Sequence, residues 1–207
     1  MFDFVCPGAA SQAIHPGAVV LPAAVLCSYF AHTLIALGPH IRTLKASGAG
    51  RILLLGTPAP KADGDFILGH LRTEAYFQDV AALAGIDLNS CRVTPASIRQ
   101  KLWTLIQQMM AAVAAQEEVT FVPVPPETLD PDGLLKREYW QDDSTHANRA
   151  FGDRVRRVLE PIALAGLVRM QPPYRTVPDR AFWARAVAAG WAPAAVVRTS
   201  RPYACAR

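Results

Sequence analysis

Leu26, Phe30, Leu34, Leu37, Ile41 and Leu44 recur at steps of four and three. That spacing lays one apolar stripe along a helix. Pro22 suits its first turn, where a missing N–H costs nothing. Gly38-Pro39 is expected to kink this helix or split it in two. Residues 1–21 keep no period and read as irregular. Arg51-Ile52-Leu53-Leu54-Leu55-Gly56 is a short apolar run between turn residues, the pattern of a strand covered on both faces. Thr57-Pro58-Ala59-Pro60 leaves it as a stiff loop, and a helix is predicted around Leu71 to Ala84. Thr94 is expected to cap the next helix, with Pro95 in its first turn. Ile98, Leu102, Leu105, Met109 and Val113 form its buried stripe. Val119 to Val124 reads as a second buried strand. A long loop follows, turning at Asp130-Pro131-Asp132-Gly133. A last helix from about Ala147 buries Phe151, Val155, Val158, Leu159 and Ile162.

Helices alternating with short apolar strands predict an α/β fold. The expectation is a three-layer α/β/α arrangement around a partial parallel sheet, flavodoxin-like. In such sheets, sites lie beyond the carboxyl ends of the strands. Loops 57–65 and 125–146 both leave strand carboxyl ends and are expected to line one pocket. A loop as long as the second is more often functional than idle.

Composition narrows the classes. Of 207 residues about half are hydrophobic, enough for one domain with a substantial core. The net charge of +4 is concentrated at the end: residues 169–207 hold seven arginines against Asp179. The division is therefore a domain at 1–168 and an arginine-rich extended tail at 169–207. Residues 1–168 carry 14 basic and 16 acidic groups, so no nucleic-acid partner is expected. No run reaches the roughly 18 to 20 apolar residues of a membrane span. Ala18 to Leu37 comes nearest and is broken by Pro22, Ser28, His32 and Thr33. Residues 1–17 lack the basic start of a signal peptide, and the expected address is the cytoplasm. Cys6, Cys27, Cys91 and Cys205 are scattered and read as reduced, structural thiols. His15, His32, His40 and His70 have no metal-site spacing, and neither a metal nor an organic cofactor is expected.

The chemistry concentrates in Asp142-Asp143-Ser144-Thr145-His146-Ala147-Asn148. A carboxylate three residues before a histidine can fix the ring's tautomer and stabilise the imidazolium, making a general base. The same stretch also reads as a helix cap, with Asp143 or Ser144 accepting backbone N–H bonds. Thr57, just after a strand, and Asn148, at the helix start, are candidate substrate-binding residues.

This stretch resembles the last motif of the SGNH hydrolases, also called GDSL esterases. Their DxxH block stands here as Asp143-Ser144-Thr145-His146 before the final helix, and the approach Asp132 to Trp140 is also similar. Leu53 to Pro60 resembles the family's penultimate strand and turn. The resemblance covers about residues 20–165. It implies a serine esterase acting on small-molecule or carbohydrate acyl esters, with His146 as base and Asp143 as its partner. No Gly-Asp-Ser or Gly-x-Asn block precedes Asp143. The chain therefore reads as beginning after the family's third strand, truncated or catalytically degenerate. A second class stays open: a non-catalytic binding module without membrane contact, or a homodimer that completes the sheet.

Overall fold

The computed structural model describes residues 1–164 and builds them as a mixed α/β chain. The boundary at 168 and the tail 169–207 lie outside the described residues. The first stretch holds two short strands, β1 (Phe2–Asp3) and β2 (Val19–Val20), paired in parallel. Two-residue strands are too short to show alternation, which is why 1–21 reads as irregular. The single stripe from Leu26 to Leu44 becomes two helices, α1 (Ala23–Thr33) and α2 (Leu37–Ala46). The break falls before Gly38-Pro39 because Pro39 has no N–H for the Ile35 carbonyl and its ring clashes there.

Leu53–Leu55 forms β3; after it stand two helices, α3 (Gly64–Thr73), most of which lies before the expected Leu71 start, and α4 (Ala75–Ala84). Asp63 caps α3 by accepting from Phe66 N at 2.9 Å. Glu74 is extended (φ −74°, ψ 120°) and ends the run. Helix α5 (Ala96–Gln116) follows; its cap residue is Pro95, and no side chain caps it. The expected capping role of Thr94 is not taken up. Its carbonyl accepts from Arg99.

Strand β4 (Thr120–Val122) pairs with β3 in parallel register, Leu54 opposite Phe121. Parallel neighbours need a long crossover, here supplied by α3, α4 and α5. Loop 123–148 carries two 3₁₀ turns, Pro126–Thr128 and Arg137–Tyr139, before α6 (Arg149–Leu164). Gly133 turns at φ 75°, and a Cβ there would lie 2.9 Å from Gln100 Nε2, so glycine lets the loop sit on α5. Among the described residues the strands form two separate parallel pairs rather than one continuous sheet.

Helix α5 packs against β4, α1 and α2 and is buried on more than its apolar stripe. Several of its buried donors find acceptors: Lys101 bonds Asp3, Gln107 Nε2 the Thr57 hydroxyl, and Gln108 the Pro7 carbonyl. Trp103, Ala59, Val124, Leu135, Tyr139 and Phe151 form the core cluster joining α5, both loops and α6. Among the described residues, no single helix is long and apolar enough to cross a membrane. The pair α1 and α2 passes only together, with a 42° bend between them.

Candidate active site

Asp143 begins the site with local bonds. Its Oδ1 accepts from His146 N at 2.7 Å and from Thr145 N at 2.9 Å. Short aspartate side chains favour such bonds to the N–H groups two and three residues on. This turn leaves Oδ2 facing His146 Nδ1 at 2.8 Å. One oxygen organises the turn and the other faces the ring; the helix cap expected of Asp143 or Ser144 is not formed, because the N–H groups Asp143 holds precede α6 and Asn148 caps that helix. The His146 side chain is 78% exposed. Among the described residues, none bonds its Nε2.

The two loops expected to share a pocket do meet. Leu135 N donates to Pro60 O at 3.0 Å, and Lys61 bridges to Leu135 in the same direction. The Lys61 side chain, 1% exposed, crosses to the second loop. Its Nζ donates to Gln141 O at 2.7 Å, to Asp143 Oδ1 at 3.2 Å and to the Asp143 carbonyl. Partial burial pushes the Asp143 carboxyl up. Bonds from His146, Thr145 and Lys61 outweigh this and hold it well below the usual carboxylate range.

Helices α3 and α4 supply a second anchor. The Glu74 carboxylate accepts from Ser144 N at 2.8 Å and from Ser144 Oγ at 3.1 Å. His70 Nε2 lies 3.3 Å from Asp142 Oδ1. Phe66 stacks near Trp140 at 5.2 Å, and the Arg137 guanidinium covers both rings at 4.5 and 4.2 Å.

The other two candidates serve the framework. Asn148 Nδ2 donates to Glu138 O at 2.8 Å and Trp140 O at 3.1 Å, while its Oδ1 accepts from Phe151 N at 3.2 Å. It caps α6 and clamps the loop, so its side chain is bonded to backbone at both ends. Thr57 accepts at its carbonyl from Trp103 Nε1 at 2.9 Å and at its hydroxyl from Gln107 Nε2 at 2.8 Å. These bonds fix the first loop to α5.

Lys61 and Glu74 carry no sequence signal. They stand far from Asp143 and Ser144 along the chain, and only the fold brings them to the dyad segment. No family model matches the chain, and no curated protein or solved structure matches it.

The hydroxyls beside the dyad do not complete a nucleophile. Ser144 Oγ donates to Glu74, and Thr145 Oγ1 lies 3.4 Å from Nδ1, the nitrogen facing Asp143. Burial pushes the Cys6 thiol up to about 12 and the Cys27 thiol up to about 11. Both stay protonated near neutrality. Among the described residues, no group of three or more His, Cys, Asp or Glu side chains is placed to hold a metal ion. A cavity of about 370 Å³, lined by Lys45, Arg51, Glu118 and Thr120, lies at the amino ends of β3 and β4, away from the dyad loops. What the arrangement offers is an oriented imidazole that can take a proton from a donor brought to its outer nitrogen.

Proposed function

We propose that this domain is the base-bearing part of an SGNH-type acyl-ester hydrolase, with a three-layer α/β/α architecture. The observation carrying this reading is the 2.8 Å contact between His146 Nδ1 and Asp143 Oδ2, on a loop leaving the carboxyl end of a parallel strand. His146 accepts the proton of a hydroxyl nucleophile at Nε2 as that oxygen attacks the acyl carbon, then returns it to the leaving alcohol. Asp143 stabilises the imidazolium between these steps. Among the described residues, no hydroxyl bonds His146 Nε2. The substrate class is a small-molecule or carbohydrate acyl ester, and the proton transfers require no cofactor. The test is turnover of a chromogenic acetyl ester by the full chain beside His146→Ala. Turnover above buffer that falls about 100-fold or more in the variant supports the reading. Wild type and variant both matching buffer defeats hydrolysis by this chain.

A second reading has its own observation. Among the described residues strand β2 has one neighbour, and Val19 and Val20 are 65% and 57% exposed. An open apolar edge pairs readily with another strand. As a binding module, the chain joins a second copy there. Sedimentation is then expected to show a dimer that Val20→Lys dissociates, and a wild-type monomer at all concentrations removes this reading.

A further inference from the structure

Lys61 is a buried charge beside the dyad. Its ammonium is buried, and it gives its hydrogen bonds to three oxygens of one short segment: Gln141 O, Asp143 O and Asp143 Oδ1. It also lies 5.1 Å from the Phe66 ring centre and 5.9 Å from that of Trp140. Burying a lysine is costly unless the charge is paired and its donors are used. A loop strut alone needs only the two carbonyls. The third bond goes to the oxygen of Asp143 that does not face the ring.

That choice has a geometric consequence. A carboxylate can rotate out of the orientation that faces the ring. With Thr145 N, His146 N and Lys61 Nζ all on Oδ1, rotation would break three bonds at once. Oδ2 is left as the only carboxylate oxygen presented to Nδ1. We propose that Lys61 is a positioning residue of the dyad, pinning Asp143 so that His146 keeps its proton on Nδ1 and turns a bare Nε2 outward. This rests on the dyad being a working base and adds a residue from the opposite loop to it. The other charged groups packed around the segment are Glu74 on Ser144, His70 beside Asp142, and Arg137 on the aromatic pair. None of them bonds the Asp143 carboxylate. Lys61 is therefore the only charge from another element that bonds it among the described residues.

The test reads the tautomer, which does not depend on ester cleavage. At about pH 9, above the ordinary imidazole range, ring ¹⁵N shifts separate the two neutral forms. The wild-type chain is expected to hold His146 mainly as the Nδ1–H form. Lys61→Met is expected to shift the tautomer ratio about fivefold or more toward Nε2–H, and Lys61→Arg to restore it at least halfway. An unchanged ratio in a folded Lys61→Met overturns the proposal and leaves Lys61 a strut. Should Lys61→Met not fold, the wild type still decides. A hydrogen-bond correlation between Lys61 Nζ and the Asp143 carboxylate carbon supports the proposal, and its absence overturns it. A wild type in the Nε2–H form overturns the dyad reading together with the proposal. A silent ester assay beside an Nδ1–H wild type defeats the hydrolase reading alone.

Discussion

Replacing Lys101 with methionine is expected to lower folding stability by about 3–5 kcal/mol, the cost of breaking a buried ion pair from one side. The Lys101 ammonium is fully buried, 2.9 and 3.1 Å from the two Asp3 oxygens and 2.7 Å from the Ala13 carbonyl. Asp3 also accepts from Phe4 N and His15 N, each at 2.7 Å. Methionine fills the space of the lysine stem but leaves a buried carboxylate without its cation. Adding Asp3→Asn removes the orphaned charge and keeps an acceptor, so the double variant is expected to recover at least half the loss. Urea unfolding midpoints measure both. A loss below about 1 kcal/mol shows that the pair does not hold the 1–21 segment to α5. The pH dependence has a definite sign. Burial pushes the Asp3 carboxyl up, but bonds from His15, Lys101 and Phe4 outweigh it and leave the group below its ordinary value. A depressed carboxyl gives its full stabilisation above its unfolded value, about pH 4, and loses it as pH falls through the folded value. Wild type is therefore expected to weaken below about pH 4, with Asp143 adding to the same trend.

What the sequence reveals divides by distance along the chain. Asp143 and His146 are legible because their bond spans three residues, and a turn of that length follows from the aspartate itself. The strands β3 and β4 are legible because each is a short apolar run between turn residues. The partners of the site are not. Lys61 is 82 positions from Asp143, and Glu74 is 70 from Ser144. Lys101 is 98 from Asp3. No local rule links a loop lysine to a carboxylate so far away. Of the helix breaks, the first is legible from Gly38-Pro39, although it falls a few residues earlier than the pair itself. The second is hidden, because the apolar period runs on past Glu74 while its extended backbone interrupts the hydrogen bonding. Helix α5 shows the limit of counting apolar positions. Its polar residues fall outside the apolar stripe, yet Lys101, Gln107 and Gln108 are buried because two segments fold over them with matching acceptors.

Asp143→Asn is expected to produce two losses that can be measured apart. The first is in stability. Asp143 is the only carboxylate paired with buried Lys61 among the described residues. An amide leaves that ammonium with two carbonyls and no countercharge. The cost is about 2–3 kcal/mol, below a fully unpaired case because both carbonyl bonds remain. The second loss is in proton transfer. An amide cannot stabilise the imidazolium, and its own N–H₂ can turn toward Nδ1 and reverse the ring's tautomer. If His146 acts as base, ester turnover is expected to fall about 100- to 10,000-fold in Asp143→Asn at temperatures where the variant stays folded. Urea unfolding reads the first loss and initial rates read the second. Full turnover in a folded Asp143→Asn would detach the carboxylate from the chemistry and leave it a turn-former that holds Lys61. A stability loss without a rate loss leads to the same conclusion. Both losses together tie one side chain to the two jobs its oxygens perform, Oδ1 holding the loop and Oδ2 holding the ring.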